Sequence, residues 1–219
     1  MLCTLVDIVS EGKQARFRGE HYNVSHKGLY LPNLQMQMQP RVILDSKKLD
    51  LTITRLCHQL IEQHKDFSHS AIVGVQPRGV YLADRIYKKL TSILKGKHID
   101  YGKLDITFYR DDFRAKGPME ADETNIGFSL EGKNIILIDD VLYTGRTIRA
   151  AMDALLDFGR PKQVELLVLI DRRYTRHLPI EANYVGKKID SIASEIVRVE
   201  WHDQDGADKV WILTVNKDN

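Results

Sequence analysis

Between Ile135 and Thr147 the chain reads Ile135-Ile136-Leu137-Ile138-Asp139-Asp140-Val141-Leu142-Tyr143-Thr144-Gly145-Arg146-Thr147. Four apolar residues suit a buried strand, two acids emerge at its end, a short loop follows, and a helix is expected from about Thr147. Backbone N–H groups in such a loop and in the first turn of a helix point outward unpaired, and the helix dipole favours an anion there. Gly145 would let the backbone approach closely, and the hydroxyls of Thr144 and Thr147 would add hydrogen bonds. A phosphate monoester fits that nest. Asp139 and Asp140 lie too close to it to bind the phosphate themselves. They suit sugar hydroxyls, or a Mg²⁺ shared between hydroxyls and a second phosphate group.

A lone T-G-x-T would be a plain strand–turn–helix with a threonine N-cap and two solvated aspartates. The strand, the acidic pair and T-G-x-T in this order are far more specific. Every Gly-Lys pair, at 12, 96, 102, 132 and 186, is followed by something other than Ser or Thr, and no G-x-G-x-x-G occurs. P-loop and Rossmann readings therefore fall away.

The elements that must position these residues alternate. Asp45 is a good N-cap for a helix running to about Lys65, with Leu49, Ile53, Leu56, Cys57, Leu60 and Ile61 at core-facing spacing. Ala71 to Val75 reads as a buried strand ended by the tight loop Gln76-Pro77-Arg78-Gly79, and a helix follows from about Val80 to Leu94. Leu104 to Tyr109 reads as another strand. The polar stretch from Arg110 to Gly127 is long for a compact domain, as active-site covers are. Asn134 to Ile138 is a strand, Thr147 to Phe158 a helix closed by Gly159 and Pro161, and Val164 to Ile170 a strand; shorter strands fit near Ile196 to Val199 and Val210 to Val215. Apolar strands alternating with helices argue an α/β fold with a parallel sheet covered on both faces, and ligands bind such sheets at the carboxyl ends of their strands.

With 219 residues the chain suits one domain or one domain plus an appendage. Residues 1–40 differ in texture, with weak periodicity and a Gln/Met run before Pro40. They are expected to be dispensable, as a disordered tail or an overlong start with the true beginning at Met36 or Met38, leaving 41–219 as the functional domain. No apolar run reaches the roughly 18 residues of a membrane span, and no secretory signal is evident. Cys3 and Cys57 make no disulfide framework or metal-ligand spacing, so Cys57 reads as a buried free thiol in a cytoplasmic protein. The net charge of +2 says nothing about nucleic acid by itself.

Ile135 to Thr147 resembles the signature for 5-phosphoribosyl-1-diphosphate (PRPP) in type I phosphoribosyltransferases. More narrowly, V-G-V-Q-P-R-G-V-Y-L-A, D-I-T-F-Y-R-D-D, I-D-D-V-L-Y-T-G-R-T-I-R-A-A-M-D-A-L and Y-V-G-K-K-I resemble the bifunctional pyrimidine operon attenuation regulator/uracil phosphoribosyltransferase family. The resemblance runs from about Val42 to the C-terminus and leaves residues 1–40 outside. It implies the type I fold: a parallel sheet flanked by helices, a small hood over the base and a flexible active-site loop.

The implied chemistry is uracil plus PRPP giving UMP and diphosphate with Mg²⁺, with no dedicated general base evident. Gln76-Pro77-Arg78-Gly79 would be the diphosphate loop, with Gln76–Pro77 cis and Arg78 pointing into the site. Arg110, in Tyr109-Arg110-Asp111-Asp112, would begin the mobile cover and offer charge to the diphosphate. The hood is expected from about Arg172 to Ile189. Tyr143 stands where purine-using relatives carry an aspartate, which disfavours a purine. The family also implies a homo-oligomer and a messenger RNA leader as partner. Thr54, Arg55, His58 and Lys187 lie at its RNA-contacting positions. Gln63 and Glu181 depart from it, standing where arginines are expected, and the stretch from Asp171 to Pro179 is one residue longer.

Overall fold

The computed structural model describes residues 38–111, 122–192 and 194–215 together with short strand segments between residues 7 and 35. Those early strands, β1 (Asp7–Ile8), β2 (Gln14–Phe17), β3 (Glu20–Ser25), β4 (Gly28–Leu31) and β5 (Leu34–Gln35), pair consecutively in their own antiparallel sheet. Strand β6 (Met38–Leu44) belongs elsewhere and crosses the boundary expected at residue 40. Helix α1 (Ser46–His64) starts as the sequence demands: the Asp45 carboxylate accepts the Lys48 N–H at 2.8 Å. After it come β7 (Ser70–Val75), α2 (Gly79–Ile93), β8 (Asp100–Leu104), β9 (Asn134–Leu142), α3 (Arg146–Leu155), β10 (Gln163–Arg173) and β11 (Tyr184–Asp190). The chain closes with β12 (Glu195–Glu200), the single turn α4 (His202–Asp205) and β13 (Lys209–Val215).

Five of these strands form one parallel sheet in the order β11-β10-β9-β7-β8. The near-continuous apolar runs of β7, β9 and β10 need both faces covered. On one face Ile72, Ile136, Ile138, Leu167 and Leu169 pack with α1 and α2. On the other Val73, Ile135, Leu137, Leu166 and Val168 pack with Ile148, Ala151 and Leu155 of α3. Cys57 is fully buried in the first layer, and burial pushes its thiol up to about 12.

Two sequence expectations are corrected. The strand expected over Leu104 to Tyr109 lies earlier, at Asp100–Leu104, and Thr107–Tyr109 is a 3-10 turn. The segment expected as hood does not stand apart either. Arg172 and Arg173 end β10, and Tyr184–Asp190 is the parallel edge strand β11. The separate small sheet is instead β12-β13-β6, antiparallel, built from the two flanks of the domain.

Below the sheet, at the amino ends of its strands, a buried polar cluster anchors the edge. His64 Nδ1 lies 2.9 Å from Ser70 Oγ and Nε2 lies 3.2 Å from Glu165 Oε2, to which the Tyr184 hydroxyl donates at 2.5 Å. Burial pulls His64 below the ordinary histidine range although Glu165 opposes the shift. A neutral ring satisfies every contact, donating to Glu165 and accepting from Ser70.

Because β6 begins at Met38 and pairs with β13 from there, the start of the chain can be tested in two steps. A chain starting at Met38 should keep its activity and melt within about 2 °C of the full chain, whereas one starting at Ser46 should melt more than about 10 °C lower. The second cut strips the partner strand from buried Val210 and Ile212. A large drop for the first cut would show that residues 1–37 pack onto the domain.

Candidate active site

Sequence order and spatial order disagree at one place in the large sheet. From β7 the chain moves outward to β8, then returns to β9 on the other side and continues to β10 and β11. The loops after β7 and β9 therefore diverge and leave a crevice at the carboxyl ends of these two strands, where open α/β sheets bind ligands.

Gln76-Pro77-Arg78-Gly79 forms one wall. The Gln76–Pro77 bond is cis, as expected. Gly79 is required here: a Cβ on it would lie 2.5 Å from the Ile138 carbonyl oxygen and 2.9 Å from Asp139 Cα. The loop thus sits directly against the end of β9. Arg78 turns toward the acidic pair, with Nε 3.3 Å from Asp140 Oδ2, and also donates to the Val199 carbonyl and approaches Asp205 at 3.7 Å. Gln76 Nε2 donates to the Glu123 carbonyl at 2.7 Å, tying this wall to the returning end of the long loop.

Asp139 and Asp140 lie within β9 rather than beyond it, and both are buried. Burial raises both carboxyls above the ordinary aspartate range, Asp139 well above it. The charge of Asp140 adds to the rise at Asp139 and that of Arg110 opposes it, while Arg78 opposes the rise at Asp140. Arg110 is thus close enough to Asp139 for its charge to be felt there. Its neighbour Asp111 pairs with Arg146, and the Tyr109 hydroxyl donates to Asp157, so the root of the long loop is held against α3 and the turn that follows it. Asp112 and the middle of the expected cover lie outside the described residues.

Val141 and Leu142 end β9 and pack into the core on opposite faces of the sheet. Tyr143, Thr144 and Gly145 then form the second wall. Gly145 has φ 90°, a left-handed value that favours glycine, and α3 starts immediately after it at Arg146, one residue earlier than expected. The Thr144 hydroxyl accepts the Arg146 N–H at 3.4 Å, and Thr147 sits in the first helical turn. The leading N–H groups of such a turn have no intrahelical partners, and here the Arg146 N–H is taken up by Thr144. From above, Ile180 packs on Gly145, and the Thr144 carbonyl accepts N–H groups from His177 and Leu178. Part of the expected hood segment therefore does cover the phosphate loop, as a connection between β10 and β11.

Sequence reasoning missed Arg172, Asp205 and the Val199 carbonyl, all facing this crevice or its walls. Arg172 and Asp205 are single charged residues in charged surroundings, and a backbone carbonyl leaves no compositional signal.

The four residues expected to touch RNA lie elsewhere. Arg55 of α1 donates to the carbonyls of Val185 and Gly186, at 3.2 and 2.6 Å, which docks the helix on β11. Lys187 follows in the same strand and donates to the Ile43 carbonyl at 3.3 Å. Thr54 accepts from Lys89 at 2.8 Å, while His58, Gln63 and Glu181 are exposed.

Residues 42–204 match the phosphoribosyl transferase domain. The chain is also 46% identical over 180 residues to the "Bifunctional protein PyrR" of Elusimicrobium minutum, an alignment covering 81% of this chain and 99% of that protein. The chain belongs to the PyrR family of phosphoribosyltransferases. A second PyrR, from Enterococcus faecalis, is 42% identical over 82% of this chain and 100% of its own. Another, from Listeria monocytogenes, is 44% identical over 80% and 97%. Among solved structures, a hypoxanthine phosphoribosyltransferase of Staphylococcus aureus superposes with TM-score 0.57 at 23% identity, covering 80% of this chain and 92% of its own. That of Trypanosoma cruzi superposes with TM-score 0.60 at 13% identity, covering 80% and 97%. At such identities these neighbours establish the fold, the type I phosphoribosyltransferase fold, and leave the base to PyrR-level features.

Among the described residues no cluster of three or more His, Cys, Asp or Glu is arranged to hold a metal. Two buried aspartates alone fit a Mg²⁺ that arrives with substrate oxygens and keeps several waters, the usual preference of that ion. No helix among the described residues is long and apolar enough to cross a membrane.

Proposed function

We propose that the chain transfers the phosphoribosyl group of PRPP to uracil, giving UMP and diphosphate. The observation that carries this reading is the buried pair Asp139–Asp140 at the switch point of the sheet, flanked on each side by a loop suited to an anion. PRPP presents a phosphate at each end of a ribose, and this crevice offers two anion walls around an acidic floor. In this reading the Thr144–Thr147 nest holds the 5′-phosphate, Asp139 and Asp140 hold the ribose hydroxyls, and Arg78 and the amide of Gly79 hold the diphosphate. Mg²⁺ brought with PRPP would neutralise the leaving diphosphate and take its protein contacts from the aspartates. Positive charge developing at C1′ as diphosphate leaves would face fixed carboxylates in a water-poor crevice, where electrostatic stabilisation is strongest. Arg110 would come from the root of the cover to the same diphosphate.

Diphosphate release from PRPP and Mg²⁺, measured with uracil, hypoxanthine, guanine and orotate in turn, tests the reading. Turnover with uracil is the expected result. Turnover with a purine alone would overturn it.

A second activity, RNA binding in transcriptional regulation, rests on one juxtaposition. Arg55 docks α1 on β11, the strand that carries Lys187, and Thr54 and exposed His58 lie on the same helix. Glu181 and Gln63, both exposed, are a carboxylate and a neutral amide where the family resemblance expects arginines. Binding to a pyrimidine leader RNA should therefore be weak at physiological salt and steeply salt-dependent, and Glu181→Arg should tighten it about threefold to tenfold. Tight, sequence-specific binding by the unmodified chain would show that these two positions lie off the RNA path.

A further inference from the structure

Arg172 is 5% exposed, yet all three of its hydrogen bonds go to neutral oxygens: Nε to Ser191 Oγ at 2.8 Å, and Nη2 to the carbonyls of Ile192 and Glu195 at 3.1 and 2.9 Å. Its guanidinium centre lies 4.0 Å from the centroid of the Tyr143 ring. A buried cation hydrogen-bonded only to neutral oxygens is costly even with the Glu195 charge nearby, so its place must be justified by what it holds. One side of the guanidinium engages the turn that leads into β12. The other lies over Tyr143, the first residue of the phosphate loop, which is 38% exposed. The same loop is drawn from above by Arg176, which donates to the Tyr143 carbonyl and pairs with Asp171.

We infer that Arg172 is a positioning residue for the 5′-phosphate: it clamps the Tyr143 ring, and with it the Thr144–Thr147 nest, to the turn before β12. The inference rests on the phosphoribosyl-transfer reading and adds a residue to it. Arg172 touches neither the nest's N–H groups nor the acidic pair. It fixes the loop through an aromatic face, and its fork geometry spans Ser191 and two carbonyls as a lysine could not. Loss of the clamp lets the nest relax away from the geometry that accepts a phosphate. A defect selective for PRPP and UMP over uracil is the signature.

The test compares Arg172→Gln, Tyr143→Leu and the double variant with the full-length chain, by steady-state kinetics and by calorimetric titration with UMP. Each single variant should raise KM for PRPP and Kd for UMP by about thirtyfold, the worth of a desolvated cation–π contact. KM for uracil should stay within about twofold. The double variant should be no worse than the poorer single one, since two halves of one clamp are not additive. Arg172→Lys should recover part of the loss, and Ser191→Ala, which keeps the charge and is the milder change, should show a smaller PRPP-selective rise if Arg172→Gln folds poorly. Additive defects, or a rise in KM for uracil equal to that for PRPP, would overturn the inference. A wild-type chain that binds UMP but shows no transfer would defeat the functional reading while leaving the clamp measurable by titration; one that binds neither PRPP nor UMP would overturn both.

Discussion

Replacing Asp139 and Asp140 together by asparagine should cut uracil-dependent PRPP consumption by at least about a thousandfold, because both contacts to the ribose and its cation disappear from a preorganised site. The single change Asp139→Asn should also make the protein more stable. Burial holds the Asp139 carboxyl well above its ordinary value of 3.8, so the folded chain keeps a proton that the unfolded chain gives up. Stability contributed by that proton is full at low pH and is lost as pH rises above 3.8 through the folded value. At neutral pH the wild-type chain therefore carries a cost that asparagine does not. Asp139→Asn should melt a few degrees higher, at about 2–4 °C per kcal/mol, and the gain should shrink as the pH approaches 4. Thermal scans across that range check the sign. Unchanged turnover in the double variant would remove the acids from the site, and a lower melting temperature for Asp139→Asn would show that its charge supports the fold. At pH values where the raised carboxyls still hold protons, PRPP and Mg²⁺ binding should release them, since the carboxyls must ionise to act as ligands.

The second large effect is expected at Gly79. An added methyl would meet the Ile138 carbonyl at 2.5 Å and Asp139 Cα at 2.9 Å, two backbone atoms of a central strand that cannot yield cheaply. Overpacking costs about 1–3 kcal/mol, and a double backbone clash belongs at the upper end, so Gly79→Ala should lower the melting temperature by about 6–10 °C. The clash is relieved only by moving Arg78 away from Asp140 or by displacing the acids. Either way kcat/KM should fall at least about a hundredfold, as misplacements of about an ångström do. A variant of normal stability and activity would show that the loop and β9 are not in contact in solution.

The central architecture was legible because β7, β9 and β10 are apolar throughout, and because an acidic pair followed by T-G-x-T has few other uses. The N-cap at Asp45 and the core face of α1 followed from local chemistry. The edges were harder. In β11, Tyr184-Val185-Gly186-Lys187-Lys188-Ile189 mixes an interior glycine with exposed lysines, because an edge strand needs little apolar surface and glycine here admits the Leu169 carbonyl at a distance no Cβ would allow. In β8, Asp100-Tyr101-Gly102-Lys103-Leu104 is likewise half polar, so the more apolar residues after it took its place. The small sheet escaped notice because β6 was set apart by a composition change at Pro40 that structure does not respect. For the site itself, the residues that bind through their own motif were found, whereas Arg172 and Asp205 act across chain segments far apart in sequence.

The β6–β13 ladder joins Met38 to Val215, so the small sheet unites one of the first parts of the domain to leave the ribosome with the last. Until β13 is made, β6 must wait with an open edge, a template for wrong pairing in a crowded cell. The parallel sheet needs nothing from β12 or α4, but the partners of Arg78 at Val199 and Asp205 belong to them. A nascent or prematurely terminated chain therefore forms its acidic floor before it gains a held arginine. Competence for transfer waits for β12 and α4, which follow the strands that build the acidic floor.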